Sequence, residues 1–328
     1  MLQKTDVSTA SKFFSSADRI LCICHKNPDG DAIGSILGMG LLLEKAYPNK
    51  QISMHCVDPA PDTMHFLPRV HSIQREPKLK EGDVVVFLDC AAPGQTAMDK
   101  NIPELFDGTH NSICIDHHQG NPNFGTVNFI LPDAASTCEI VVQLADDLSW
   151  EMDSDIATCL LTGVYTDTGG LLHSNTTSQV YRTVARLLRV GARQQQIVTH
   201  VFRTAKLSTL KLWGRVLEKI NLTSVGGAIS AVTKGDFRAT GAHHSELTGA
   251  IDYINAVPGM KFSLLLSERG DIVKGSLRTL RDDIDVAKMA GKFQGGGHRK
   301  AAGFSLPGSL QPEVRWKVVD SNNPSVPK

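Results

Sequence analysis

The stretch that decides the fold is His25-Lys26-Asn27-Pro28-Asp29-Gly30-Asp31-Ala32-Ile33-Gly34-Ser35. It follows an apolar run, Arg19 to Cys24, that reads as a buried strand. Pro28 and Gly30 break the strand, and a helical pattern begins near Ala32. An imidazole and two carboxylates therefore sit on a strand-to-helix turn, a donor set that suits Mn²⁺ or Mg²⁺. A single Asp at such a turn commonly serves as a helix cap. His25, Asp29 and Asp31 together exceed what capping requires.

Working outward, Gln51 to Val57 reads as a second strand and Asp62 to Leu67 as a short helix. Val84-Val85-Val86-Phe87-Leu88 is a β-branched run ending at Asp89, and Ser112-Ile113-Cys114-Ile115 ends at Asp116-His117-His118. Helical patterns cover 5–16, 32–46, 133–147, 155–165, 178–190, 193–202 and 206–219. The fold class is α/β, a parallel sheet flanked by helices, and ligands collect where such strands end. From about Asn221 the texture changes. A strand over 227–233, a helix over 245–255, a hairpin of 262–266 with 271–277 and a helix over 285–292 form a smaller α/β unit. That unit runs into Gly295-Gly296-Gly297-His298. The expected divisions are 1–203, a helical linker over 204–220, the second domain over 221–311, and a loose tail over 312–328.

A chain of 328 residues suggests two domains, and 41% hydrophobic with 21% charged residues is an ordinary globular balance. Lys+Arg 34 against Asp+Glu 34 leaves no net charge, which argues against a binder of long duplex nucleic acid. A small anion in a local pocket remains compatible. The seven cysteines lie mostly in apolar runs without CxxC spacing, as reduced core residues of a cytoplasmic protein would. Residues 1–18 lack the apolar core of a signal peptide, and no apolar run approaches the ~20 residues of a membrane span. No membrane partner is expected.

Asp89 and Asp116-His117-His118 end strands, and Asp167 lies in Thr166-Asp167-Thr168-Gly169-Gly170 after an apolar helix. Lone histidines such as His55 and His65 read as ordinary core or surface residues. His25, Asp29, Asp31, Asp89, His117 and Asp167 together supply four carboxylates and two imidazoles. Four clustered anions repel one another and take up protons unless cations separate them. Two divalent ions ~3.5–4 Å apart resolve that conflict and clamp attacking and leaving oxygens at phosphorus.

These motifs, with Gly163-Val164-Tyr165-Thr166-Asp167-Thr168-Gly169, resemble the four motifs of the DHH phosphoesterase superfamily. Gly295-Gly296-Gly297-His298-Arg299-Lys300-Ala301-Ala302-Gly303-Phe304 is similar to the signature of the DHH-associated C-terminal domain. The resemblance spans roughly 15–308 and is closest to nano-RNases, 3′-phosphoadenosine-5′-phosphate (pAp) phosphatases and phosphodiesterases of cyclic or linear dinucleotides. It implies one metal on His25, Asp29 and Asp89 and another on Asp31, Asp89, His117 and Asp167, Mn²⁺ being favoured over Mg²⁺ by the imidazoles. It also implies that His118 contacts the scissile phosphate, that Asp116 orients the motif, and that the C-terminal domain holds the nucleotide across a cleft.

Ser276-Leu277-Arg278 resembles the family's Ser-Leu-Arg strand end, which makes Ser276 and Arg278 candidate substrate contacts. The three glycines allow close backbone approach to phosphate, with His298, Arg299 and Lys300 as donors. Ser136-Thr137 is either a phosphate contact at a helix end or a cap. One departure stands out: Gly170-Leu171-Leu172-His173 replaces the Arg or Phe that many relatives carry there.

The function implied is two-metal attack of water on phosphorus in short oligoribonucleotides, linear dinucleotides such as pApA, cyclic dinucleotides or pAp. A RecJ-like single-strand exonuclease is the enzyme alternative, but such proteins are usually larger. Family-II pyrophosphatases lack the GGGH signature. A catalytically silent nucleotide sensor is the non-enzyme alternative, against which the intact ligand set argues. A homodimer is the default assembly.

Overall fold

The computed structural model describes residues 2–312, so the expected tail lies, from 313 onward, outside the described residues. Five parallel strands build the first sheet: β1 (Arg19–Ile23), β2 (Gln51–His55), β3 (Val84–Leu88), β4 (Asn111–Asp116) and β5 (Val127–Ile130). Their order is β2-β1-β3-β4-β5. Every residue of β3 is buried, as expected of a central strand covered on both faces. Strand β5 is not evident in the sequence. It is four residues long and sits at the sheet edge, where Asn128 and Ile130 are only half buried.

Helices α1 (Lys4–Ser16), α2 (Gly30–Ala46), α3 (Thr137–Asp147), α4 (Ser154–Asp167) and α5 (Ser178–Val190) follow the expected pattern with shifted ends. Helix α2 starts at Gly30 rather than Ala32 because the Asp29 carboxylate accepts the amides of Asp31 and Ala32 at 3.0 and 3.1 Å. Helix α3 starts at Thr137 rather than near Asp133 because Ser136 Oγ is its cap, accepting from the Glu139 amide. The expected helix over 193–202 is a short α6 (Gln194–Ile197) that widens into a π-turn over Val198–Phe202.

Helices α2 and α4 cross closely. A Cβ on Gly34 would lie 2.6 Å from the Cys159 carbonyl oxygen, and one on Gly38 would lie 2.4 Å from Leu160. Only glycine permits that approach, and the approach brings the first turn of α2 against the last turn of α4. All seven cysteines are free and buried.

The chain divides between Thr204 and Ala205. The second unit holds α7 (Leu207–Glu218), β6 (Asn221–Leu222), β7 (Gly227–Val232), α8 (Lys234–Thr240), α9 (Ala250–Asn255), β8 (Phe262–Arg269), β9 (Ile272–Arg278), α10 (Val286–Gly291), β10 (Gly296–His298) and β11 (Ala301–Pro307). Its sheet runs β10-β11-β9-β8-β7-β6, with only β7 and β8 parallel. The stretch expected as a linker is largely α7, and it packs as part of this unit, with Leu212 and Val216 buried beside Ala228, Val232 and Ile254. The expected helix over 245–255 is two pieces, a 3₁₀ turn His244–Leu247 and then α9, because Gly249 turns the chain at φ 89°. Among the described residues no helix is long and apolar enough to cross a membrane.

Candidate metal centre

The strand order reverses between β1 and β3, and open parallel sheets offer their ligand crevice at that point, beyond the carboxyl ends. His25 follows β1, Asp89 follows β3 directly, and Asp116-His117-His118 closes β4. Asp89 adopts the left-handed conformation at φ 58°, which turns the chain sharply as it leaves the sheet. Asp29 and Asp31 enter from the start of α2. Asp167, expected in a loop, is instead the last residue of α4.

The six expected ligands converge. His25 Nε2 lies 3.3 Å from Asp89 Oδ2 and 3.9 Å from Asp29 Oδ1. His117 Nε2 lies 3.3 Å from Asp167 Oδ2, 3.7 Å from Asp89 Oδ1 and 4.0 Å from Asp31 Oδ2. Three donor groups of metal-binding size result: His25 with Asp29 and Asp89, Asp31 with His117 and Asp167, and Asp89 with His117 and His118. The two oxygens of Asp89 face different groups, Oδ2 toward His25 and Oδ1 toward His117 and His118. The donors are oxygen and imidazole nitrogen, a set fit for a hard or borderline divalent cation.

Buried hydrogen bonds hold these side chains. Asp31, fully buried, accepts the Thr137 amide at 2.6 Å and the Cys138 amide at 3.0 Å, from the positive end of α3. The Thr137 hydroxyl donates to Asp89 Oδ1 at 3.1 Å. Ser136 and Thr137 are both fully buried, Ser136 capping α3 and Thr137 bracing Asp31 and Asp89. Asp116 Oδ1 lies 2.8 Å from His118 Nδ1, and Asn121 donates to Asp116 Oδ2 at 2.8 Å. His173 Nδ1 lies 3.1 Å from the Asp167 carbonyl oxygen, and the Asn175 amide reaches that oxygen and Ala135 O, both at 3.3 Å. Asn175 thereby ties the end of α4, which carries Asp167, to the turn before α3, which supports Asp31. Thr137's role, Asn121 and Asn175 escape sequence reading because polar residues in loops and at helix starts carry no pattern that names their partners.

The charges conflict without cations. Burial and then the Asp89 charge push the Asp31 carboxyl well up, against the pull of the Cys138 and Thr137 amides. Asp167 is pushed up by burial and by Asp31, Asp89 and Asp29. Burial opposes charge on His25, but the Asp89 hydrogen bond and the Lys26 carbonyl outweigh it and raise the imidazole to about 9. His118 is raised chiefly by its Asp116 hydrogen bond. Burial opposes the Asp116 charge, yet hydrogen bonds from His118 and Asn121 keep that carboxyl below its usual range. Groups pushed to hold protons beside one another are what a cation site looks like when metal-free.

In the second unit, His298 pairs with Ala301, which pairs with Arg278; Gly296 pairs with Gly303, which pairs with Ser276. Directly opposed residues of antiparallel strands point to the same face, so Ser276, Arg278, Gly296 and His298 share one face. Two of the glycines have packing duties. A Cβ on Gly295 would lie 2.2 Å from the Gly303 carbonyl oxygen, and one on Gly297 would lie 2.6 Å from Ala301 O. A Cβ on Gly296 would meet nothing within 4 Å. Arg299 donates to the Asp282 carbonyl, Lys300 to the Asp282 carboxylate, and Arg278 Nη1 to Leu277 O at 3.0 Å.

Known proteins are similar to this chain. The chain is 34% identical over 301 residues to the bifunctional oligoribonuclease and PAP phosphatase NrnA of Thermus thermophilus, covering 90% of this chain and 87% of that one. It is 25% identical over 292 residues to the protein of the same name from Bacillus subtilis, covering 88% and 90%. The crystal structure of an exopolyphosphatase-related protein from Bacteroides fragilis matches with a TM-score of 0.80 at 26% identity, over 94% of this chain and 93% of that one. Residues 19–164 match the DHH family N-terminal domain and residues 225–321 the DHHA1 domain. The chain belongs to the DHH family.

Proposed function

We propose that this protein is a metal-dependent phosphoesterase of short nucleotides, acting on short oligoribonucleotides, linear dinucleotides such as pApA, and pAp. The observation that carries the reading is Asp89, one buried carboxylate whose two oxygens serve two His/Asp groups. The names of the curated relatives, oligoribonuclease and PAP phosphatase, support nucleotides as the substrate class.

His25, Asp29 and Asp89 would hold one divalent cation, and Asp31, Asp89, His117 and Asp167 another, Mn²⁺ in preference to Mg²⁺. Bound there, the ions supply an activated water at neutral pH and neutralise charge on phosphoryl oxygens. The protein's own part is positioning. The α3 amides fix Asp31, Thr137 fixes Asp89, and Asn175 and His173 fix the backbone of Asp167. His118 has Nδ1 committed to Asp116 and is half exposed, which leaves Nε2 to donate to a phosphate oxygen. Its raised basicity favours the charged form that steadies a pentavalent phosphoryl anion.

In the second unit, Ser276, Arg278, Gly296 and His298 share a face whose donors suit a phosphate or base of a nucleotide. Arg299 and the glycines Gly295 and Gly297 contribute mainly by shaping that hairpin.

The test is release of AMP from pApA with added Mn²⁺, the measurement that also separates an enzyme from a silent sensor. Asp31→Ala and His117→Ala should each abolish turnover while the circular dichroism of the fold persists. Wild-type rates in either variant would refute the ligand assignment.

A further inference from the structure

The connection from Cys56 to Asp83 is long and carries only two single 3₁₀ turns, Asp62–Met64 and Val70–Ser72. Connections of that kind within a compact unit usually serve binding or catalysis. It curls around a cavity of about 200 Å³ lined by Cys56, Asp58, His65, Val70, His71 and Arg75. The His65 and His71 rings meet edge to face with centroids 5.2 Å apart. Among the described residues neither His71 nor Arg75 has a carboxylate within ion-pairing reach, and His65 has only Asp62, at 3.9 Å. The one carboxylate in the wall, Asp58, already accepts the Asn27 amide at 2.8 Å.

The wall of this cavity is hydrogen-bonded to the segment that carries His25 and Asp29, since Asp58 accepts the Asn27 amide. Asn27 lies between His25 and Asp29, and Cys56 Sγ donates to the His25 carbonyl oxygen at 3.3 Å. Two imidazoles and an unpaired guanidinium around a concavity are the chemistry of a phosphate site. The volume suits a phosphate with part of a ribose and falls short of a whole drug-sized ligand.

We propose that this loop is a second phosphate subsite, taking the phosphate of the substrate that is not being cleaved. The proposal rests on the phosphoesterase reading and deepens it. Both pApA and pAp carry phosphorus on the 3′ and the 5′ oxygen of one adenosine. A centre that attacks one phosphorus beside a cationic pocket for the other serves both substrates with one geometry.

The experiment compares pApA with ApA, the same dinucleotide lacking the 5′ phosphate, under Mn²⁺. The wild-type protein should prefer pApA, and Arg75→Ala and His71→Ala should each shrink the ratio of kcat/KM values, about tenfold for Arg75. Arg75→Lys should restore part of the ratio. An unchanged ratio in both variants, or no wild-type preference, overturns the subsite. Failure of the phosphoesterase reading looks different, since the wild type would then turn over neither dinucleotide. The pocket is in that event judged by titrating AMP against the ring resonances of His65 and His71. Shifts that Arg75→Ala removes support the subsite, and unmoved resonances overturn it.

Discussion

The metal centre and the hairpin of the second unit both carry charged residues and glycines in recognisable motifs, yet they use them in opposite ways. Asp31, Asp89 and Asp116 are at most 1% exposed, and each accepts at least one hydrogen bond from outside its own segment. Arg299 and Lys300 lie at the surface and spend their donors on nearby Asp282. On the proposed roles, chemistry that tolerates little displacement would be built from buried, cross-braced side chains, whereas recognition would fall to a solvated strand edge.

The comparison breaks most visibly at Asp89. Asp89→Asn keeps the shape of the side chain and its place beside Thr137, but removes the charge shared by both donor groups. Loss of several kcal/mol of charge stabilisation at the reacting centre corresponds to a rate drop of roughly 10³-fold or more. Manganese titration followed by electron paramagnetic resonance should show both sites weakened together. Loss of one site alone would mean that Asp89 does not bridge. Arg299→Ala, at the exposed edge, should leave manganese uptake as it was.

The glycines sharpen the contrast at smaller magnitude. A Cβ on Gly163, inside α4, would lie 2.5 Å from Asp31 Oδ1 and 2.3 Å from Cys138 Sγ. Alanine gains up to about 1 kcal/mol over glycine in a helix, and overpacking costs about 1–3 kcal/mol, so the net effect is destabilising and displaces Asp31. Gly295→Ala meets a backbone carbonyl that cannot rotate away, and it should destabilise the second unit while sparing the first. Gly296→Ala should be silent in stability. Urea unfolding of the three variants checks the order, and a Gly296→Ala cost matching that of Gly295→Ala would show that the hairpin is not packed as described.

Much of the centre was legible because strand ends are legible. The β-branched run before Asp89 and the apolar run before His25 place both residues at the mouth of a parallel sheet, and the fold rules then bring them together. The helix ends were less legible, since the caps Asp29 and Ser136 move them by two to four residues from where periodicity alone sets them. The bracing was not legible at all. Thr137 sits 48 residues from Asp89 and 106 from Asp31, and no local pattern encodes a bond across that separation. In the second unit the Gly-Gly-Gly run reads as a phosphate loop. Only the register shows that two of the three glycines make room for a facing strand.

Proton linkage separates the two regions by the sign of its effect. Unfolded His25 titrates near 6.5, whereas in the metal-free fold it is raised to about 9. Its contribution to stability is therefore complete below 6.5 and is lost as pH rises through about 9. Asp31 and Asp167, pushed up from 3.8, act in the same direction, because the fold keeps protons that the unfolded chain releases. In the second unit Glu246 is lowered from 4.5 to about 2 by the His243 amide and the hydroxyls of Ser208 and Thr209. Its contribution is present above 4.5 and is lost as pH falls toward about 2. Metal-free protein should accordingly lose protection in the first unit as pH rises from 3.8 through about 9, and in the second unit on acidification below 4.5. Hydrogen exchange resolved by peptide reads the two separately. If manganese is held as proposed it would take the place of the protons on His25 and Asp167, so loaded protein should show no alkaline loss, and uptake should release protons to the buffer. A metal-free first unit that grows more protected from pH 6.5 to 9 would contradict the charge balance assigned to the centre.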